Sequence, residues 1–171
     1  MVLPLFQRYP GLQTIPWVQL AELPTPVERM EVGSRTFLIK RDDRTSGAYG
    51  GNKVRKLEFI LGHARATGAT RLITAGATGS HHALATALYG TRHGFTVTLV
   101  LFPQPLTKHV EEILLADAAL GAELRYAPRM TAVPTSVAAA RMAHFRERVH
   151  VIAPGGSDPY GTLGYVNGVF E

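Results

Sequence analysis

A glycine-rich segment followed by three closely spaced cations is the strongest chemical signal in the sequence. It reads Gly-Gly-Asn-Lys-Val-Arg-Lys over Gly50–Lys56, and Lys53, Arg55 and Lys56 fall in the first turn of a predicted helix. The helix dipole disfavours positive charge there, so helix stability alone does not select this arrangement. The dipole and the neighbouring cations favour a neutral lysine amine, which is the form that attacks an aldehyde. The alternative is a solvated basic helix start after a flexible turn.

A second candidate segment lies between a predicted strand and a predicted helix. It runs from Thr74 to His82 and has Ser80 at the expected N-cap. Free backbone N–H groups at a helix N-terminus bind carboxylate or phosphate, and open parallel sheets bind ligands beyond the carboxyl ends of their strands. The alternative is that Ser80 is an ordinary N-cap. His81 and His82 are adjacent and point about 100° apart on a helix, so we predict no metal site here.

An alternation of short strands and longer helices has to position these two segments. A strand is predicted at residues 36–40, and the alternating series after it has strands at residues 71–75, 96–102, 123–127 and 149–153. Helices are predicted at residues 53–67, 80–92, 109–120, 134–148 and from 161 onward. This alternation indicates an α/β fold, a parallel sheet with helices on both faces in three layers. Residues 1–26 are rich in proline and predict an extended arm that packs on this body.

Composition and charge exclude several classes of protein. The chain has 171 residues, of which 46% are hydrophobic and 18% charged, so we expect a folded protein. It has no cysteine, which excludes disulfide scaffolds and fits a reducing compartment. The first ten residues lack the pattern of a signal peptide and no apolar stretch could span a bilayer, so we expect a cytoplasmic protein without a membrane partner. The net charge of +5 is scattered along the chain, so we expect no nucleic-acid partner, although a basic binding module stays as one alternative.

Four segments, taken together and in order, resemble one enzyme family. They are Lys40–Asp43, Gly50–Glu58, Gly79–Ala83 and Gly155–Tyr165, and the second, Gly-Gly-Asn-Lys-x-Arg-Lys-Leu-Glu, is the most specific. Over nearly its whole length the chain resembles the 1-aminocyclopropane-1-carboxylate (ACC) deaminase and D-cysteine desulfhydrase family. Members of that family are pyridoxal 5'-phosphate (PLP) enzymes of the tryptophan-synthase-β type, fold type II. The resemblance therefore implies PLP as the cofactor and a small amino acid as the substrate.

The resemblance also implies a role for each residue of the matching motifs. Lys53 would bind the cofactor as a Schiff base and move a proton, with Asn52 shaping the cofactor loop. Ser80, the second catalytic residue, and the backbone amides of His81 and His82 would receive the substrate carboxylate. The family commonly has asparagine where His81 stands, facing the cofactor's ring hydroxyl, and His81 could hydrogen-bond there instead. The products would be a 2-oxo acid and ammonia.

Family members are about twice the length of this chain, which bears on its organisation. The resemblance implies that residues 1–52 belong to a larger cofactor domain and that residues 53–150 form a smaller α/β domain. Residues 151–171 return into the larger domain. That domain is incomplete, so the fold is truncated. Two alternatives to an enzyme therefore stay open, a non-catalytic remnant and a half that needs a partner chain. A truncated sheet exposes apolar surface, so we expect a homodimer or other self-association.

Overall fold

The computed structural model describes residues 2–171, so residue 1 of the predicted arm lies outside the described residues. An antiparallel hairpin is formed by strands β1 (Val27–Val32) and β2 (Arg35–Lys40). The remaining strands are β3 (Arg71–Ala77), β4 (Thr96–Phe102), β5 (Glu123–Tyr126) and β6 (Val149–Val151). They form a parallel sheet in the order β5-β4-β3-β6. The predicted parallel sheet is therefore confirmed.

The helices cover both faces of this sheet. They are α1 (Pro4–Arg8), α2 (Asn52–Ala66), α3 (His81–Arg92), α4 (Lys108–Ala119), α5 (Val133–Ala143) and α6 (Pro159–Val169). Side chains alternate across β3, so Leu72 packs in the core beneath α2 and α3, whereas Ile73 packs with Ala140 of α5 on the opposite face. The predicted three-layer arrangement is confirmed. Among residues 2–171, no helix combines the length and apolarity needed to cross a membrane.

Two predicted elements differ most from the structure, whereas the other predicted strands and helices differ by no more than two residues at their ends. The N-terminal segment is not an extended arm throughout, because Pro4 starts the short helix α1, a position where its fixed φ and missing N–H carry no penalty. Helix α5 was predicted to reach residue 148 but ends at Ala143. There the chain turns at His144, whose ring lies 2.8 Å from the Glu123 carboxylate and 3.0 Å from that of Glu147.

Helix α2 is held rigidly between the sheet and its neighbours. Gly164 of α6 lies so close to α2 that an added Cβ would be 2.1 Å from the carbonyl oxygen of Arg55. On another side, the buried Glu58 carboxylate accepts hydrogen bonds from the backbone N–H groups of Leu20 and Ala21 at 3.0 and 2.9 Å. These contacts fix the helix that carries the first candidate segment.

Candidate active site

Lys53 lies in the first turn of α2, directly after a loop with a defined conformation. Gly51 is the N-cap and has a φ of 121°, which side chains larger than hydrogen rarely tolerate. Its N–H donates to the carbonyl of Asp42 at 2.8 Å and to the hydroxyl of Thr45 at 3.0 Å. The position of Lys53 is therefore set by local backbone geometry.

The three cations of this turn have different environments. Arg55 is 2% exposed and forms ion pairs with Asp42, at 2.7 Å, and with Glu171. The amine of Lys56 donates to the carbonyl of Gly155 at 3.0 Å, and burial together with the Lys53 charge lowers the pKa of Lys56. Two carboxylates therefore compensate the charge of Arg55.

Ser80 sits at the turn between β3 and α3. Its hydroxyl accepts from the N–H of Ala83 at 3.3 Å, so it caps the helix as the alternative interpretation requires. The N–H groups of His81 and His82 belong to the first turn, where no intrahelical acceptor exists. A Cβ added at Gly76 would lie 2.6 Å from the Ser80 hydroxyl oxygen, so the tight turn requires glycine there. The Ser80 hydroxyl and the free N–H groups of His81 and His82 therefore lie close together at the start of α3.

Two adjacent cavities bring the predicted residues together. The first, of about 540 Å³, is lined by Lys53, Ser80, His81 and His82, with an apolar wall of Phe102, Met130, Val133 and Pro134. The second, of about 530 Å³, is lined by Lys53, His81, Asn52, Tyr49, Asp42 and Asp43. Four of the five predicted site residues share the first cavity, whereas the exposed Asn52 lines only the second. Both volumes fall in the range of roughly 300–1,000 Å³ typical of ligand pockets.

His82 is a neutral, buried side chain. Its Nε2 lies 3.0 Å from the hydroxyl of Thr74, which itself donates to the carbonyl of Ile152 at 3.1 Å. Because Thr74 has a single proton to donate, His82 carries its own proton on Nε2. Burial, and the charges of Lys53 and Lys56, lower the pKa of His82 to about 4. Its Nδ1 is a buried acceptor with no hydrogen-bond partner in the part of the chain that the structure describes.

The side chain of His81 is engaged at both ring nitrogens. Nδ1 forms a hydrogen bond with the hydroxyl of Tyr49, and Nε2 lies 3.3 Å from Nε2 of His109. Sequence reasoning missed Tyr49 and His109. The available signal was topological, since α3 and α4 begin beyond the carboxyl ends of the neighbouring strands β3 and β4, so their first turns lie side by side.

The residues that line the first cavity fit the cofactor that the sequence implies. Lys53 supplies an amine for an aldehyde, and the first turn of α3 supplies N–H donors for an anion. Gly76 keeps the turn clear of a Cβ that would collide with Ser80. The apolar wall would pack against an aromatic ring.

Comparison with known proteins identifies the family. The family model described as "Pyridoxal-phosphate dependent enzyme" matches residues 18–171. Nocardicin C-9' epimerase of Nocardia uniformis subsp. tsuyamanensis is 42% identical over 151 residues, which is 85% of this chain and 46% of that protein. A Pyrococcus abyssi protein provisionally named 1-aminocyclopropane-1-carboxylate deaminase is 36% identical over 175 aligned positions, covering 98% of this chain and 50% of that protein.

Two further relatives agree with this. D-cysteine desulfhydrase of Klebsiella pneumoniae subsp. pneumoniae is 35% identical over 172 aligned positions, covering 94% of this chain and 52% of that protein. The crystal structure of an ACC deaminase homologue superposes with a TM-score of 0.81 at 35% identity, and the match covers 99% of this chain and 53% of that one. The chain thus spans about half the length of the curated relatives it matches. On these matches and on the fold, the chain belongs to the pyridoxal-phosphate dependent enzyme family.

Proposed function

We propose that this chain supplies the lysine-bearing part of a PLP-dependent deaminase or lyase that acts on a small amino acid. The substrate would be of the D-cysteine or ACC type, and the products a 2-oxo acid and ammonia. The observation that carries the proposal is one cavity that contains both the Lys53 side chain and the first turn of α3. The names of two relatives, an ACC deaminase and a D-cysteine desulfhydrase, support the same class of reaction, whereas the third relative is named an epimerase.

The roles of the residues follow from their positions. PLP, when bound, supplies an electron sink next to the substrate Cα. Lys53 binds the cofactor through its amine and then holds or releases a proton at Nζ. The hydroxyl of Ser80 and the N–H groups of His81 and His82 hold the substrate carboxylate. The ring of His82 is neutral and buried, so it adds no charge to that site.

His81 and Asn52 have more restricted roles in this proposal. Both ring nitrogens of His81 already have partners, so a bond to the ring hydroxyl of the cofactor requires the release of Tyr49 or His109. Asn52 lines the adjoining cavity and shapes the cofactor loop from that side.

The wider organisation of the protein is also a proposal. We propose that residues 1–52 and 151–171 belong to a larger cofactor domain and that residues 53–150 form a smaller α/β domain. We also propose a reducing, cytoplasmic location, which the lack of cysteine supports. Exposed apolar side chains support self-association or pairing with another chain, for example Phe37 at 46% and Val169 at 80% exposure.

A second candidate function is cofactor binding without turnover, or turnover only with a partner chain. The observation that favours it is exposed apolar surface that a partner chain would cover, for example Val169 at 80% exposure. Both candidates require a functional Lys53, and they differ in whether this chain alone releases product.

The test is covalent trapping of the cofactor. The chain is incubated with PLP, reduced with borohydride, digested, and the pyridoxyl adduct located by mass spectrometry. We expect one adduct per chain, on Lys53, that is lost in Lys53→Ala and kept in Lys108→Ala. Lys108 is a matched control because it is an exposed lysine in the first turn of a helix, α4. Scattered or absent labelling would contradict both candidates.

Turnover separates the two candidates. A chain whose Lys53 reacts with PLP is then tested alone. Release of a 2-oxo acid from D-cysteine or ACC would support the deaminase or lyase. Labelling of Lys53 without any release from small amino acids of either configuration would favour the second candidate.

A further inference from the structure

Three side chains from three separate segments form a hydrogen-bonded row beside the two cavities. Tyr49 comes from the loop before α2, His81 from the first turn of α3 and His109 from the first turn of α4. The Tyr49 hydroxyl bonds to Nδ1 of His81, and Nε2 of His81 lies 3.3 Å from Nε2 of His109. The exposure of both imidazole rings means that core packing does not account for this row.

The row has two complete arrangements of protons. Each neutral imidazole carries one ring N–H, so only one nitrogen of His81 can donate. In one arrangement Tyr49 donates to Nδ1 and His81 donates from Nε2 to His109. In the other, His109 donates to Nε2 and His81 donates from Nδ1 to Tyr49. The two arrangements differ only by protons shifted along the row, which is the condition for proton transfer through it.

The two ends of the row face different environments. Tyr49 lines the second cavity together with Lys53, and burial raises the pKa of Tyr49, so its phenol stays protonated and able to donate. His109 is exposed to solvent on α4. His81 stands between them and lines both cavities. The row therefore joins the half-buried Tyr49, in the cavity lined by Lys53, to two exposed imidazoles that can exchange protons with water.

We propose that the Tyr49–His81–His109 row is a proton relay between the Lys53 cavity and solvent. The Tyr49 oxygen gives or takes a proton inside the cavity, His81 passes it on, and His109 exchanges it with water. Each transfer moves one proton along the row, either inward or outward, and no bond between heavy atoms forms or breaks. The inference rests on the proposed function, in which Nζ of Lys53 gains and loses a proton. Tyr49 is the group that meets the ligand, and His81 and His109 act through it.

The first test examines the row without cofactor. Imidazole ¹⁵N NMR of the 171-residue chain reports which nitrogen of His81 carries the proton. We expect Tyr49→Phe and His109→Gln each to change the ratio of the two His81 tautomers, because each variant removes one partner. The matched controls Tyr126→Phe and His93→Gln, a tyrosine and a histidine elsewhere on the molecule, should leave that ratio unchanged. An unchanged ratio in both relay variants would overturn the proposal.

The second test measures proton transfer at Lys53. Borohydride trapping at timed intervals gives the rate at which PLP attaches to this lysine. We expect Tyr49→Phe and His109→Gln to slow attachment at least about tenfold, since general acid–base groups contribute roughly 10²–10⁴-fold to such steps. The final labelled fraction should be unchanged, which a merely structural defect would not give.

The outcomes separate this relay from the proposed function. Full labelling of Lys53 at an unchanged rate in both variants would overturn the relay and leave the proposed function standing. No labelling of Lys53 in any protein, the unaltered chain included, would overturn the proposed function and the relay's role with it.

Discussion

At the scale of single residues, an uncompensated carboxyl group lies in the core. Asp117 of α4 is 0% exposed, and neither of its carboxyl oxygens has a hydrogen-bond partner among the described residues. Burial raises the pKa of Asp117 from 3.8 to about 7. The folded protein therefore holds a proton there over a pH range in which the unfolded chain has released it.

This residue makes stability depend on pH in a defined direction. Because the folded pKa of Asp117 lies above the unfolded value, its contribution to the free energy of unfolding falls as pH rises from about 4 to about 7. Three pKa units correspond to an upper limit of about 4 kcal/mol. The isosteric variant Asp117→Asn should lose this contribution, measured as the difference between its stability and that of the unaltered chain in urea denaturation at several pH values, since His82 titrates with the opposite sign in both proteins.

A control variant identifies the source of the effect. Glu31→Gln removes the same charge at an exposed position of β1 and should keep the pH dependence of the unaltered chain. Equal curves for the unaltered chain and Asp117→Asn would show that Asp117 does not titrate in this window.

A second residue-scale prediction concerns the partner of His82. Thr74→Val keeps the shape of the side chain but leaves the buried Nε2–H of His82 without its acceptor. We expect the free energy of unfolding to fall by about 1–3 kcal/mol, the usual penalty for an unsatisfied buried polar group. Thr96→Val, an exposed threonine of β4, should change it by less than about 0.5 kcal/mol. Similar values for the two variants would argue against the hydrogen bond between Thr74 and His82.

At the scale of elements, the contact between α2 and α6 controls the position of the candidate lysine. Gly164→Ala would place a Cβ 2.1 Å from the backbone carbonyl of Arg55, which cannot move aside as a flexible side chain could. We expect a loss of at least about 1–3 kcal/mol in the free energy of unfolding, the range for overpacking. Denaturant unfolding and Lys53 labelling by PLP would both report the displacement.

Gly11→Ala is the matched control for this contact. An added Cβ at Gly11 meets no atom within 4 Å, so the variant should be close to neutral. A Gly164→Ala protein as stable as Gly11→Ala would mean that α6 can shift away from α2 without loss.

The elements also show what the sequence can and cannot predict. The strand at Thr96–Phe102 was predicted with its observed limits, because a continuous apolar run is typical of a strand buried on both faces. Strand β1 was missed, since its sequence Val-Glu-Arg-Met-Glu-Val breaks the apolar/polar alternation that marks a strand, and it is held by pairing with β2 outside the main sheet. Lys53 and Ser80 could be found because local motifs mark them. His109 could not, because its proximity to His81 depends on how two helices lie across the sheet.

At the scale of the whole molecule, the β1–β2 hairpin stands apart from the parallel sheet and presents an apolar face. Met30 and Phe37 are directly paired across the two strands and are 44% and 46% exposed, with Val32 beside them at 55%. An isolated two-stranded hairpin is marginally stable in water, so burial of this face would be favourable. We therefore expect the chain to self-associate through it.

The two faces of the hairpin allow a matched comparison. Phe37→Lys places a charge on the paired apolar face and should shift the protein toward monomer in analytical ultracentrifugation. Leu38→Lys places the same charge on the opposite face and should leave the association unchanged. A monomeric unaltered chain, or equal effects of the two variants, would rule out this interface.

The shared lining of the two cavities has a consequence for ligand size. His81 and Lys53 line both spaces, so their side chains lie where the two compartments adjoin, in a partition shared by both. The imidazole of His81 is held in that partition from both sides, by Tyr49 and by His109. Shortening this side chain, as in His81→Ala, would join the compartments into one continuous trough. If the proposed function holds, the size of residue 81 would therefore limit the bulk of the amino acid that fits beside Lys53.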